Sequence, residues 1–303
     1  MMIEPTNICN LRCTFCALQM PGGHSAEKKK QYLDVATYKK IIDEVKDSLI
    51  FLFLYLGGEP FLHKNIFDLI KYASDRGISV VIATNGSFNH IQDFGKRIVY
   101  SGLDVLIFSV SGTSQDYYGN LHVGGDLQKV CRNIREVTAY KSGQRPRTIF
   151  RYIATPKNKN DRGNIKEFVK GLRVDTHEIR NVDGELVLAD NLSDAAEKQK
   201  RKKRRGCFWL WCTLVMKSSG DVVPCCYDYY GIPVLGNINH SSLGEIWNGT
   251  VIKQIREAWI KYPEKLEFCA QCDFSTGFQD NASKEKDKIV VKKAKQEKEN
   301  SRI

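Results

Sequence analysis

Three cysteines, Cys9, Cys13 and Cys16, fall within the run Cys-Asn-Leu-Arg-Cys-Thr-Phe-Cys near the start of the chain. A CxxxCxxC triad sets three thiolates on one compact loop, a soft-donor arrangement suited to an iron–sulfur cluster. Because only three thiols are local, a cubane held there keeps one iron free of protein thiolate, and that iron can bind and activate a small molecule. Structural zinc sites more often close four positions with two separated pairs. The spacing alone leaves zinc and unrelated thiols as alternatives.

The whole run from Ile3 to Cys16, Ile-Glu-Pro-Thr-Asn-Ile-Cys-Asn-Leu-Arg-Cys-Thr-Phe-Cys, resembles the opening of a radical S-adenosylmethionine (SAM) enzyme, including the aromatic Phe15 before the last cysteine. Further on, Leu54-Tyr55-Leu56-Gly57-Gly58-Glu59-Pro60 resembles that family's Gly-Gly-Glu-Pro segment at the end of the second barrel strand. The resemblance implies that Gly57, Gly58, Glu59 and Pro60 hold the methionine amine of SAM, the glycines letting backbone carbonyl groups come close. Thr84-Asn85-Gly86 is similar to the family's Thr-Asn-Gly after the third strand, which makes Asn85 a cofactor contact, although Asn-Gly is also a common turn. Phe108-Ser109-Val110-Ser111-Gly112 resembles the Ser-Leu-Asp-Gly of the fourth strand: Ser109 is the candidate polar contact to SAM, and Ser111 stands where aspartate is more usual. His122 stands where the family often has an arginine, which would clamp the SAM carboxylate with two bonds; a histidine offers at most one.

A second cysteine set follows: Cys207 and Cys212, then Gly220, Cys225 and Cys226, and finally Cys269-Ala270-Gln271-Cys272. The order Cys207, Gly220, Cys225 resembles the start of the SPASM extension of radical SAM enzymes, as do Leu235-Gly236-Asn237-Ile238 and Ser242-Leu243-Gly244-Glu245-Ile246-Trp247-Asn248. No further cysteine follows Cys272, so the set resembles the shortened, one-cluster Twitch form, with Cys207, Cys225, Cys269 and Cys272 as ligands. Cys212 in place of Cys207, and Cys226 in place of Cys225, are the rival choices, and zinc at the same four thiols is the rival metal.

Positioning these residues requires an alternation of strands and helices. Apolar β-branched runs mark strands at 1–4, 51–56, 79–83, 105–110, 148–154 and 177–181, and amphipathic stretches mark helices at 34–48, 64–76, 91–100, 127–141 and 164–172. Gly77 and Gly102 stand where helices should stop. The pattern predicts an α/β fold with a parallel sheet, and six units match the partial (β/α)6 barrel that the resemblance implies. The expected organisation is a barrel over 1–192, a basic linker over 193–206, a small cysteine-rich auxiliary cluster domain over 207–278 and a charged, disordered tail over 279–303. In such folds the loops at the carboxyl edge of the sheet converge on one cavity.

With 303 residues, 42% hydrophobic and 27% charged, the chain can bury a full core. No apolar stretch approaches the roughly 18 to 20 residues that span a bilayer, and no signal peptide precedes the first motif, so no membrane partner is expected. Ten cysteines without export signals read as cluster ligands and reduced thiols in a cytoplasmic protein. Much of the net charge of +11 sits in the run from Lys198 to Arg205 and in the Lys- and Glu-rich tail. The inner run could steer an anionic substrate, carrier or nucleic acid. A nucleic-acid-associated protein, with structural metal and Lys/Arg runs on phosphates, is the reading from another class. It is disfavoured because the basic residues are not interleaved with aromatics.

The resemblance implies two [4Fe-4S] clusters, the first binding SAM and one auxiliary, fed by a flavodoxin- or ferredoxin-type electron donor. One electron passed to SAM gives methionine and a 5′-deoxyadenosyl radical, which removes hydrogen from an unactivated carbon of the substrate. Loss of an electron to the auxiliary cluster leads to oxidation or cross-linking; return of hydrogen from a thiol, for which Cys226 is the candidate, leads to epimerisation. The sequence shows no leader-gripping stretch ahead of the first strand. A small polar, sugar or glycan substrate is therefore the first expectation, and a peptide modified in the maturation of a ribosomal product the alternative.

Overall fold

The computed structural model of the chain describes residues 1–16, 30–141, 143, 145–181, 207–226, 233–262, 265, 266 and 269. Six parallel strands, β1 (Met2–Ile3), β3 (Phe51–Phe53), β4 (Ser79–Thr84), β5 (Val105–Val110), β7 (Arg147–Ala154) and β8 (Thr176–Asn181), lie side by side in that order. Short antiparallel strands β2 (Arg12–Cys13) and β6 (His122–Val123) pair apart from this sheet. Helices α1 (Val35–Val45), α2 (Ile66–Ser74), α3 (Phe94–Tyr100), α4 (Gln115–Leu121), α5 (Leu127–Tyr140) and α6 (Ile165–Lys170) alternate with the strands.

Local chemistry sets the ends of these elements. Asp34 caps α1 by accepting a bond from the Thr37 amide, and Asp126 caps α5 by accepting from Gln128 and Lys129. Gly77 and Gly102, at φ of +77° and +79°, take the left-handed conformation just beyond α2 and α3. The expected strand over 51–56 is regular only to Phe53, because the chain then leaves the sheet toward Gly57 and Gly58. Strands β2 and β6 are two residues each, too short to leave a period in sequence, and α4 contains Gly119 in its single pair of turns.

Alternate strand residues face opposite ways. Leu52, Leu54, Val80, Ile82, Leu106, Phe108, Phe150 and Tyr152 are buried toward the helices in the main core. Each such side chain contributes about 1.5–3 kcal/mol by leaving water. Their neighbours, among them Tyr55, Ser109 and Arg151, face the inner side. Tyr55, just past β3, comes close enough to Arg151 of β7 for the guanidinium to oppose the rise that burial gives its hydroxyl pKa, even though β4 and β5 separate those strands in the sheet. That contact crosses the inner face, so the sheet curls around a lumen.

The later part of the chain extends the same sheet. Strand β9 (Val215–Met216) runs parallel to β1 on its free side, through Met2 N to Leu214 O at 3.0 Å and Glu4 N to Met216 O at 2.9 Å, and β10 (Asp221–Val223) and β11 (Gly236–Asn237) follow antiparallel. Helices α7 (Phe208–Cys212), α8 (Leu243–Trp247) and α9 (Thr250–Lys261) complete it. Arg256 fastens the three helices, donating to Leu210 O at 2.8 Å and Trp247 O at 3.1 Å with its guanidinium over the Trp247 ring. The expected linker, the basic run at 198–205, Cys272 and the tail lie outside the described residues.

Candidate cluster and cofactor site

Cys9, Cys13 and Cys16 lie on the loop leading from β1 through β2, at the carboxyl edge of the parallel sheet. Thr14 N donates to Leu121 O at 2.9 Å, Gly58 N to Thr6 O at 3.2 Å and Glu59 N to Ile8 O at 2.8 Å, so the loop is pinned to α4 on one side and to the Gly-Gly turn on the other. A methyl group on Gly58 would stand 2.3 Å from Thr6 O and 2.5 Å from Ile8 O. Only glycine fits that approach.

Burial pushes the Cys9 thiol up to about 11, with the Glu59 charge and Cys16 adding to it, while the Leu11 amide and Asn85 oppose it. The Cys13 thiol is raised further still, first by burial and then by Cys16 and Cys9. The three thiols are near enough to make one another harder to ionise. A bound cation reverses that balance, since coordination deprotonates a thiol outright.

A family model for the "Radical SAM superfamily" matches residues 3–169, which is more than half of the chain. The chain belongs to the radical SAM superfamily. A second model, for the SPASM "iron-sulfur cluster-binding domain", matches residues 207–273, placing a SPASM domain C-terminal to the radical SAM domain. Among curated relatives, GTP 3',8-cyclase of Alkaliphilus metalliredigens is 32% identical over 48% of this chain and 44% of its own length. This chain thus spans under half the length of that relative. The antilisterial bacteriocin subtilosin biosynthesis protein AlbA of Bacillus subtilis is 21% identical over 90% of this chain and 64% of its own. Among solved structures, Streptococcus suis SuiB bound to S-adenosylmethionine superposes with TM-score 0.64 at 15% identity, covering 84% of this chain and 67% of that one. BtrN in complex with AdoMet and 2-DOIA gives TM-score 0.56 at 17% identity, covering 90% and 91%. These superpositions establish the fold, a parallel α/β sheet of the radical SAM kind with its SPASM domain after it.

The two domains of this radical SAM protein imply a [4Fe-4S] cluster, an auxiliary cluster and SAM. The donor set fits the first cluster: three thiols on one pinned loop, mutually close, beside a glycine turn with no side chains. Among the described residues no three His, Cys, Asp or Glu side chains gather tightly enough for a single metal ion. A cubane does not ask for that, because each thiolate binds a different iron.

Around the loop, buried polar groups fix the turn. Glu59 is 2% exposed, and its carboxylate accepts from Thr84 Oγ1 at 2.7 Å, Asn85 N at 2.8 Å and Phe61 N at 3.2 Å, binding the Gly-Gly turn to the end of β4. Burial raises its pKa to about 7, against those three donors. Pro60 opens the short turn Pro60–Leu62 that follows. Asn85 donates to Asn10 Oδ1 at 3.0 Å and lies 3.8 Å from Cys9 Sγ. Sequence reasoning missed Glu4, a charged residue at the end of an apolar strand. Its buried carboxylate accepts from Gly57 N at 3.2 Å, Ser218 N at 3.0 Å and Ser218 Oγ at 2.7 Å, joining β1, the glycine turn and the SPASM domain.

The two departures from the family pattern turn out to be partners. His122 Nε2 lies 2.8 Å from Ser111 Oγ, while Nδ1 lies 3.1 Å from Cys13 Sγ. The ring stacks on Tyr118 at 4.6 Å and meets the edge of Phe15 at 5.3 Å. Burial lowers the His122 pKa to about 3, so the ring is neutral and carries one N–H. Toward a thiolate that proton belongs on Nδ1, and Nε2 accepts from Ser111. Both nitrogens are then engaged. Ser109 lies one pleat before Ser111 on the inner face of β5.

In the SPASM domain Cys207 caps α7, Cys225 follows β10, and Cys269 is buried, with Cys207 and Cys269 both packed on the main core. Cys212 is exposed. Cys226 packs with Tyr55, Phe53, Leu56 and Trp209 on the small second core around Met2, Val215 and Val223.

Proposed function

We propose that this radical SAM protein modifies a peptide, removing a hydrogen atom from one of its carbons in the manner of enzymes that mature ribosomal peptides. The observation that carries the reading is the similarity to a bacteriocin biosynthesis protein along 90% of the chain. The likeness to SuiB, also solved bound to a precursor peptide, agrees with it. A small polar or carbohydrate-like substrate, the first expectation from sequence, becomes the second reading; the end-to-end match with BtrN favours it.

In this reading Cys9, Cys13 and Cys16 hold the first cluster, Gly57 and Gly58 receive the SAM amine on their backbone, and Ser109 contacts SAM from β5. The bound cluster and SAM supply an electron from a flavodoxin- or ferredoxin-type donor and a 5′-deoxyadenosyl radical. The chain's own contribution is to orient SAM against the inner face of the barrel and to exclude water. Cys207, Cys225, Cys269 and Cys272 hold the auxiliary cluster, and Cys226, which packs beside Tyr55, is the candidate thiol for returning hydrogen.

Reconstituted protein, SAM and dithionite, supplied with uniformly deuterated peptides or, separately, deuterated sugars, test the reading. Deuterium appearing in 5′-deoxyadenosine from the peptide pool supports it. Deuterium from the sugar pool alone replaces it with the second reading.

A further inference from the structure

The inner face of the barrel carries a charged row that neither the cluster loop nor the glycine turn uses. Ser109 on β5, Arg151 on β7 and Glu178 on β8 are register partners, so they stand side by side on one face, and Arg180 stands two residues further along β8 on the same face. With strands about 4.8 Å apart, Arg151 is one strand and Glu178 two strands, about 10 Å, from Ser109. Arg151 Nε donates to Glu178 Oε1, Arg180 Nε lies 3.4 Å from the same oxygen, and the charges of both arginines reach the Tyr55 hydroxyl across the lumen.

Two guanidinium groups therefore share one carboxylate, which leaves the row one positive charge in excess. Burial alone would raise the Glu178 pKa; bonding and charge from Arg151 and Arg180 hold it below the usual carboxylate range. Each guanidinium has five N–H donors in a planar fork, more than one carboxylate can engage. The Arg180 side chain is 58% exposed and can receive a further ligand.

We propose that Arg151 and Arg180 form a carboxylate-binding subsite for the substrate, with Glu178 as the internal counter-ion that an incoming carboxylate competes against. This rests on the peptide reading above and narrows it to a peptide presenting a carboxylate, on an acidic side chain or at the chain end, near the carbon that reacts. The row begins at Ser109, the proposed SAM contact, so a carboxylate on the two arginines keeps the neighbouring carbons at the SAM side of the lumen.

The probes are acetyl-Gly-Glu-Gly-amide, acetyl-Gly-Gln-Gly-amide and acetyl-Gly-Gln-Gly free acid, titrated into reconstituted protein saturated with SAM and followed by ligand NMR. The glutamate probe is expected to bind about tenfold or more tightly than the capped glutamine probe, as a charge-assisted bond requires. The free acid reports the source: binding tighter than the glutamate probe assigns the subsite to a chain end, and weaker binding to an acidic side chain. Arg180→Gln should erase the preference. Glu178→Gln should instead strengthen glutamate binding several-fold, because the competing carboxylate is gone. Equal binding of the capped probes, weaker glutamate binding in Glu178→Gln, or displacement of SAM by the glutamate probe would overturn the inference. Release of 5′-deoxyadenosine from the same preparation separates the two claims. Release without charge discrimination removes this inference alone, and discrimination without release removes the radical reading alone.

Discussion

Cys9, Cys13 and Cys16 share one loop that is pinned through Thr14, Gly58 and Glu59 to two neighbouring elements, whereas Cys207, Cys225 and Cys269 are spread from the start of α7 to beyond α9. In the first region the spacing of the proposed ligands is set by the chain itself and the barrel only fixes its direction. In the second it is set by how β9 to β11 and α7 to α9 pack onto β1 and the main core. Loss of one ligand should therefore be felt differently in the two places.

The largest expected effect is that of Cys13→Ala, which should lower 5′-deoxyadenosine release about a hundredfold or more while leaving about four irons per chain, those of the auxiliary cluster. Unchanged release would break the assignment of the first loop. Cys269→Ala should also retain about four irons, yet still release 5′-deoxyadenosine at a rate within several-fold of the parent. Equal loss of release in both variants would mean that the two regions are one functional unit. Next in size is Gly58→Ala, whose methyl group meets the Thr6 and Ile8 carbonyls. Overpacking of this kind costs about 1–3 kcal/mol, and urea unfolding of the metal-free protein, together with lowered iron uptake, would show it. Glu4→Gln keeps the shape of the bracket between β1 and Ser218 but weakens its bonds. A loss of about 1–3 kcal/mol is expected on the same assay.

A pH effect sharpens the account of the glycine turn. The Glu59 pKa is raised from 4.5 to about 7, so between those pH values the folded metal-free chain holds a proton that the unfolded chain has lost. Its stability should therefore fall as pH rises from about 4.5 to about 7 and level off above. Glu59→Gln should remove that slope.

Much of this was legible because the informative residues are close in sequence. The triad, the Gly-Gly-Glu-Pro turn and the six strand–helix alternations each sit within a short window, and all six parallel strands are present where the apolar runs stand. The contacts that hold the site together were not legible. Glu4 meets Ser218 across 214 residues, and Cys13 meets His122 across 109. Nothing in local spacing ties such pairs, and only the sheet order brings them together. His122 and Ser111 could be marked in sequence as two separate departures from the family pattern; that they are each other's partners is a fact of the fold. The continuation of the sheet from β1 into β9 was hidden for the same reason, since β9 is two residues long.

The central claim is tested most directly on anaerobically reconstituted protein, by counting iron and sulfide per chain and then measuring 5′-deoxyadenosine released from SAM with dithionite. The account predicts about eight irons, as two cysteine-ligated cubanes require, together with 5′-deoxyadenosine. Zinc in place of iron, with no 5′-deoxyadenosine, would contradict it.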